Sequence, residues 1–150
     1  MARSLSSEQI SELKKSWSKL ARDPCRLASD LVIRLFKENP EYQSLFKRLK
    51  GLSVDELASN SQFKVHASKV GASLVSAVDH LDKPDELEEL LTDLGIKHKK
   101  YGLTPTHFQV IGDVLISMIA EAIGDTEPEL LNLWKSSLAS VIEVVVAACC

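Results

Sequence analysis

The stretch LEELLTDLGIKHKKYGL, residues 87–103, contains the pattern that decides the fold. Leu87, Leu91 and Leu94 follow one another at steps of four and three residues, the spacing of one face of an α-helix. His98 stands four residues further along the same face, where another leucine would be expected. The stretch therefore predicts a helix whose apolar face ends in an imidazole ring.

A second histidine has a similar position on the preceding predicted helix. His66 lies three residues after Phe63 and four before Val70, so the three side chains share one face. The two histidines are 32 residues apart, and a tight turn at residues 82–85 joins their helices. Helices joined in this way are commonly neighbours, so we expect both rings to line one cavity.

Two interpretations of this histidine pair stay open on spacing alone. A buried ring without a hydrogen-bond partner costs roughly 1–3 kcal/mol, so each histidine needs one. In the first interpretation each ring is a core residue bonded to a backbone carbonyl. In the second, the two imidazoles flank a flat macrocycle whose iron has further ligands of its own, because the apolar neighbours provide no Asp, Glu or Cys to complete a zinc site.

The rest of the chain is also predicted to be helical. Ser6 and Gln9 have the spacing of a capping box before a first helix, and Pro24 suits the first position of a second one. Residues 51–57 are predicted to be a connection with about one helical turn. No strand-like alternation and no internal repeat occurs in the sequence. We expect an all-α fold of six to eight helices, forming a single domain over residues 1–150.

Composition and charge exclude several classes of protein. The 150 residues are 45% hydrophobic and 26% charged, with a formal net charge of −3, so the chain has no basic surface for nucleic acid. Residues 1–7 contain no apolar signal segment, and no run of about 18 uninterrupted apolar residues suggests a membrane span. Cys25, Cys149 and Cys150 have neither zinc spacing nor a disulfide framework. We therefore expect a cytoplasmic protein, and the two adjacent cysteines leave a homodimer open.

Taken together, the motifs strongly resemble those of the globin family over nearly the whole chain. The match rests on a segment of the second helix, a phenylalanine at the following corner and the two helices that carry the histidines. Within the family, the chain most resembles the intracellular invertebrate globins. These motifs read Leu31-Val32-Ile33-Arg34-Leu35-Phe36-Lys37-x-x-Pro40-Glu41, Phe46, His66-x-x-x-Val70 and Leu94-Gly95-x-x-His98-x-x-x-Gly102-Leu103.

The resemblance implies a globin fold around a haem pocket, with haem b (iron protoporphyrin IX) as the cofactor. It implies that His98 binds the iron and that His66 donates a hydrogen bond to dioxygen or another diatomic ligand. Val32 takes a position that often holds a larger residue, so it widens the ligand pocket. The resemblance also implies that Lys69 lies near a haem propionate. It implies that the haem is walled by Phe46, Val70, Leu94, Leu103 and Phe108.

The implied function is reversible dioxygen binding for storage, transport or facilitated diffusion, which is not enzymatic. The alternative is a globin with both histidines on the iron, acting in oxygen sensing or in chemistry on nitric oxide, nitrite or peroxide. A haem-free all-α interaction domain is a third alternative. The two remaining histidines, His80 and His107, are predicted to be surface residues.

Overall fold

A computed structural model describes residues 5–124 and 126–150, so Met1–Ser4, on which part of the signal-segment prediction rests, and Asp125 lie outside the described residues. Eight α-helices and one 3-10 helix make up this part of the chain, which contains no strand. The prediction of an all-α fold is confirmed. The α-helices are α1 (Ser7–Leu20), α2 (Pro24–Glu38), α3 (Pro40–Gln43), α4 (Val54–Ser59), α5 (Ser61–Asp79), α6 (Pro84–His98), α7 (Pro105–Ile123) and α8 (Pro128–Cys149), and the 3-10 helix is Lys99–Tyr101.

Side-chain caps set where several of the helices begin. The predicted capping box at the start of α1 is confirmed, since the Ser6 backbone N–H donates to Gln9 Oε1 and the Gln9 N–H donates to Ser6 Oγ. Asp23 caps α2 by accepting from the Arg26 N–H. Such caps satisfy N–H groups that have no partner inside the helix.

The region predicted as a connection forms a longer helix than expected. Ser53 and Glu56 make a second capping box, and α4 continues from it for six residues to Ser59. Leu57 in this helix is completely buried. The prediction of one helical turn was therefore short, because it overlooked the serine cap and the burial that stabilises so small a helix.

The described chain groups into two compact units. The first, unit 1, consists of the chain up to Leu20 together with Ser76–Cys150. Its centre is formed by Leu87 and Leu91 of α6 and Val145 of α8, all almost completely buried. Helix α6 packs along α8, which also packs against α7. The prediction of one domain over residues 1–150 stays a prediction.

Helix α1 is attached to unit 1 by aromatic and polar contacts. The rings of Trp17 and Trp134 have centroids 6.0 Å apart, and both are buried, as the sequence suggested for core aromatics. The Trp134 Nε1–H donates to Ser16 Oγ at 2.9 Å. On another part of α1, the Lys14 ammonium donates to Asp82 at 3.2 Å, and this hydrogen bond lowers the pKa of the Asp82 carboxyl.

The second group, unit 2, comprises Ala21–Val75 and contains α2, α3, α4 and most of α5. Helix α2 packs against α3 and α4, and its apolar face is almost completely buried. At the other end of unit 2, α5 approaches the start of α2 so closely that a Cβ on Gly71 would lie 2.6 Å from the Pro24 carbonyl oxygen. A glycine is therefore needed where these two helices meet.

Among the described residues, α7 and α8 are long and apolar enough to cross a membrane, with mean hydropathies of 1.3 and 1.4. This property rests on length and composition only, and core helices of soluble proteins share it. It is a weak indication of a membrane span. The expectation that nothing spans a membrane stays a prediction.

Gly95 sets how closely α6 packs on α8, and its replacement by alanine should destabilise the fold. A Cβ at this position would lie 2.5 Å from the Val145 carbonyl oxygen and 2.7 Å from the Ala148 Cβ, neither of which can rotate away. We expect Gly95→Ala to lower the free energy of unfolding by about 1–3 kcal/mol, measured by urea titration.

Gly112→Ala is the matched control, because the nearest atom to its added Cβ is the terminal Cδ1 of Ile142, which can change rotamer. A gain in helix propensity of up to about 1 kcal/mol opposes the crowding there, so its cost should be smaller than that at Gly95. Equal costs for the two variants would show that backbone contact is not what makes Gly95 necessary.

Candidate functional site

The predicted site residues fall into two groups, one in each unit. The group in unit 1 surrounds the end of α6 and the start of α7, and the group in unit 2 lies on α2, on α5 and in the turns that follow α3. The first group is Leu94, His98, Leu103 and Phe108, and the second is Val32, Phe46, His66, Lys69 and Val70.

His98 is the last residue of α6, and its ring is held by the helix backbone. The Nδ1–H donates to the Leu94 carbonyl oxygen at 2.7 Å, one turn earlier in the helix. Because a carbonyl can only accept, the proton of a neutral ring lies on Nδ1 and the lone pair on Nε2. Nε2 is therefore the nitrogen that can bind a metal ion.

Two aromatic rings fix the orientation of the His98 ring. Phe108 of α7 and Tyr101 of the 3-10 helix each meet it at a steep angle, with centroids 6.1 and 6.0 Å away. Phe108 and Leu94 also pack against the buried centre of unit 1. The imidazole is thus placed by a backbone hydrogen bond and by Phe108, which is anchored in the core, while Tyr101 flanks it from the exposed side.

His80 makes the same local hydrogen bond in a different setting. Its Nδ1 lies 2.6 Å from the Ser76 carbonyl oxygen, again one turn earlier. Its neighbours in sequence are the exposed Asp79 and Asp82 rather than aromatic rings. The hydrogen bond alone does not mark a ligand, and the aromatic surroundings distinguish His98.

The prediction that His80 and His107 are surface residues needs correction, because both are half-buried. His107 belongs to the cap of α7, where its Nδ1 accepts from the Thr104 backbone N–H at 2.9 Å. Histidine is not the Glu or Gln expected three residues after a capping threonine, which is why the sequence pattern did not reveal this role.

In unit 2 the structure brings His66 and Phe46 together. Their ring centroids are 4.9 Å apart with an interplanar angle of 67°. Phe46 also packs on Phe36, at 5.3 Å, so the three rings form a continuous aromatic row. Phe63, one turn before His66, is only 1% exposed and anchors this part of α5 in the core.

Gln43 holds the turn that carries Phe46, and sequence analysis missed it. Its Nε2 amide donates to the Leu49 carbonyl at 2.7 Å and to the Leu52 carbonyl at 2.8 Å. These two bonds tie together both ends of the segment after Phe46. A single glutamine at the end of a four-residue helix has no spacing signal, so only the folded chain reveals its function.

The remaining predicted residues differ in burial. Val32 is 2% exposed on the inner face of α2. Val70 and Leu103 are half-buried, and Lys69 is exposed. The roles assigned to these side chains by resemblance stay predictions.

The donor chemistry fits a haem better than a bare metal ion. No group of three or more His, Cys, Asp or Glu side chains in the described part of the chain could hold a metal. His98 instead presents one nitrogen amid aromatic rings, and His66 stands beside another aromatic row. A single protein nitrogen in apolar surroundings suits an iron whose equatorial ligands come from a macrocycle.

Comparison with known proteins identifies the family. The family model described as Globin matches residues 29–145. The chain belongs to the globin family. This globin is 29% identical to a globin from Nerita albicilla, over 95% of the chain and 92% of the relative. It is 30% identical to a neuroglobin from Tetraodon nigroviridis, over 92% and 88%.

Solved structures agree on the fold. A Drosophila melanogaster globin superposes with a TM-score of 0.88 at 16% identity, covering 96% of this chain and 95% of that one. A hexacoordinated haem protein from an anhydrobiotic tardigrade gives 0.86 at 23% identity, covering 96% and 94%. The predicted family and globin fold are therefore confirmed. Globin-family proteins bind haem and diatomic ligands.

The Gln43 amide should contribute measurably to stability. Gln43→Ala would leave the Leu49 and Leu52 carbonyls without their donor, so we expect a loss of about 1–3 kcal/mol in the free energy of unfolding. Gln109→Ala is the control, since its amide bonds only to Asp113 on an exposed surface, and it should change stability by less than about 0.5 kcal/mol. Similar effects of the two substitutions in urea unfolding would contradict the assigned role of Gln43.

Proposed function

We propose that this globin binds haem b through His98 and uses it to bind dioxygen reversibly, for storage, transport or facilitated diffusion. The observation that carries the proposal is the 2.7 Å bond from His98 Nδ1 to the Leu94 carbonyl, which leaves Nε2 for the iron. Bonds of this kind fix the tautomer of a ligating histidine and raise its basicity. Cys25, Cys149 and Cys150 form no C-x-x-C-H motif for covalent attachment, which favours haem b.

When bound, haem would supply a ferrous iron that takes a diatomic ligand. His98 would hold the iron through Nε2, and the rings of Tyr101 and Phe108 flank its imidazole. Related chains often place a hydroxyl just before this histidine, whereas here Lys97 lies there and pairs with Asp93 at 3.7 Å. The backbone bond and the aromatic rings therefore orient His98 by themselves.

His66 is proposed to donate a hydrogen bond to dioxygen. Such a charge-assisted bond contributes about 1.5–3 kcal/mol, which corresponds to roughly ten- to a hundredfold in affinity. The Phe46 ring limits how far the imidazole can swing on that side. Val32 adds no donor, so a second hydrogen bond to the ligand is not expected from that position.

Several of the predicted apolar residues are proposed to exclude water from the iron and so to slow its oxidation. Phe46, Val70, Leu94, Leu103 and Phe108 have this role, and Lys69 is proposed to pair with a haem propionate. Exposed Cys25 and Cys150 suit a reducing compartment, which supports the proposed cytoplasmic location. The net charge of −3 argues against nucleic acid as a partner, and a homodimer stays a prediction.

His98→Ala tests the proximal assignment. We expect the purified variant to lose stoichiometric haem, because the substitution removes the nitrogen that is proposed to bind the iron. His80→Ala is the matched control, since it removes a half-buried ring with the same local bond and should keep one haem per chain. Haem content is measured from absorbance after gel filtration, and the fold is checked by circular dichroism.

A second variant keeps this test decisive if His66 captures the iron in place of His98. His98→Ala with His66→Ala should bind no haem above the background of denatured protein. Full haem retention with an unchanged spectrum in His98→Ala alone would overturn the assignment.

The second candidate is a six-coordinate globin with redox chemistry. A relative named anaerobic nitrite reductase HBII, from Casuarina glauca, is 29% identical over 95% of this chain, and other relatives are named neuroglobins. The small, buried Val32 is compatible with this candidate, since it leaves space for His66 to reach the iron. In that state the protein would act on nitric oxide, nitrite or peroxide, or sense oxygen.

The visible spectrum of the reduced, ligand-free protein separates the two candidates. An open sixth position gives one broad band, which we expect for the dioxygen carrier. Sharp, split bands that disappear in His66→Ala would instead show His66 on the iron and would favour the redox function.

A further inference from the structure

Two adjacent thiols at the end of α8 are not used by the proposed haem function. Cys149 is 6% exposed, whereas Cys150 is exposed, and both are free. The Cys150 Sγ–H donates to the Leu103 carbonyl oxygen at 3.3 Å. The two cysteines are consecutive in the chain, so both thiols lie at the same end of α8.

Consecutive positions at the end of a helix do not suit a disulfide between the two sulfurs. Neighbouring Cα atoms are about 3.8 Å apart across a trans peptide bond. Disulfides usually need a separation of about 4.4–6.8 Å. Joining the sulfurs through one additional atom makes a larger ring and relieves this constraint. The pair is therefore better suited to a bridged adduct than to direct oxidation.

The surroundings restrict which bridging atom fits. Sulfur is a soft ligand and selects soft partners. No third His, Cys, Asp or Glu joins the two thiols in a metal-binding group among the described residues, so a tetrahedral zinc site is not formed. The protein provides only two sulfur ligands, so any further bond of the bridging atom must be to a group that the ligand itself carries.

We propose that Cys149 and Cys150 form a dithiol site for trivalent organoarsenicals and chemically similar soft electrophiles that bond two sulfurs through one atom. With phenylarsine oxide, two As–S bonds form and the As–O bond breaks. Both thiol protons leave with the oxygen as one water molecule. Arsenic stays trivalent and nothing is oxidised, so no further reactant is needed.

The two thiols differ in exposure, which sets the order in which they react. Burial raises the pKa of the Cys149 thiol, and the hydrogen bond with Cys150 raises it further. A thiol with a raised pKa attacks disulfides slowly, because the thiolate is the nucleophile. The exposed Cys150 therefore makes the first As–S bond, and Cys149 closes the ring in a second, intramolecular step in which its proton leaves with the arsenic-bound oxygen.

Capture of the bridging atom removes the donor from Leu103. Once Cys150 has lost its S–H proton, its sulfur can no longer donate to the Leu103 carbonyl. Leu103 connects the 3-10 helix to α7 directly after Gly102, whose φ is +67°. The adduct should therefore loosen this connection. A change in the haem spectrum would be a valid readout of this loosening only if the proposed function is correct. Backbone hydrogen exchange at Leu103 detects the loosening whether or not haem is bound.

Intact mass spectrometry of the full chain carrying Cys25→Ser tests the proposal, since that substitution removes the separate exposed thiol. One phenylarsine per chain should bind, with the loss of two titratable thiols. The adduct should survive excess glutathione and be removed by dithiothreitol. Adding Cys149→Ala or Cys150→Ser should make release by glutathione at least ~100-fold faster, as expected when a second link is lost. Cys150→Ser is the closer control, because its hydroxyl can still donate to Leu103.

Three outcomes would overturn the proposal. The first is that a single-cysteine variant retains the arsenical as well as the chain with both cysteines does. The second is that only one thiol is lost for each arsenic bound. The third is that oxidised glutathione converts the pair to a Cys149–Cys150 disulfide and the adduct does not form. The thiol count uses the chain with both cysteines present, so it stays decisive if a variant folds poorly. Because haem content is not the readout, failure here is distinguishable from failure of the haem assignment.

Discussion

The hydrogen bond from His98 Nδ1 to the Leu94 carbonyl is the interaction on which the proposed chemistry of this globin depends. An imidazole at the end of an apolar helix face needs a partner for each nitrogen, and the backbone can satisfy only one of them. A carbonyl four residues earlier necessarily accepts, so it determines which nitrogen keeps its lone pair. The choice of tautomer follows from helix geometry, before any neighbouring side chain is considered.

The bond to Leu94 can hold the His98 ring in a fixed position only because the end of α6 is itself packed against α8. Gly95 lets the α6 backbone approach the Val145 carbonyl of α8, and Leu91 and Val145 are buried where the helices meet. Phe108 then reaches the His98 ring from α7. A larger residue at position 95 would separate the helices and alter the support beneath the imidazole. Gly95 allows this approach because it has no Cβ atom, and its cost in helix propensity is tolerated for that reason.

The sequence predicted the helices more successfully than the contacts that position their side chains. The spacing of Leu87, Leu91, Leu94 and His98 corresponds directly to one face of α6, since helical periodicity is a local property. Gln43 and the His107 cap were missed because each depends on a particular backbone atom becoming available in the folded chain. Helix α4 was underestimated for a related reason, since the burial of Leu57 stabilises it and periodicity over six residues is too short to detect.

His80 and His98 share a type of local hydrogen bond but differ in their surroundings. Both rings bond through Nδ1 to a carbonyl one turn earlier, so their local geometry is nearly the same. Aspartates lie beside His80 in sequence, whereas Phe108 and Tyr101 pack on His98. Water competes for a lone pair in polar surroundings, and aromatic rings restrict its access. Residues from other elements therefore distinguish the surroundings of the two rings, and the proposed role of His98 depends on packing as much as on the histidine itself.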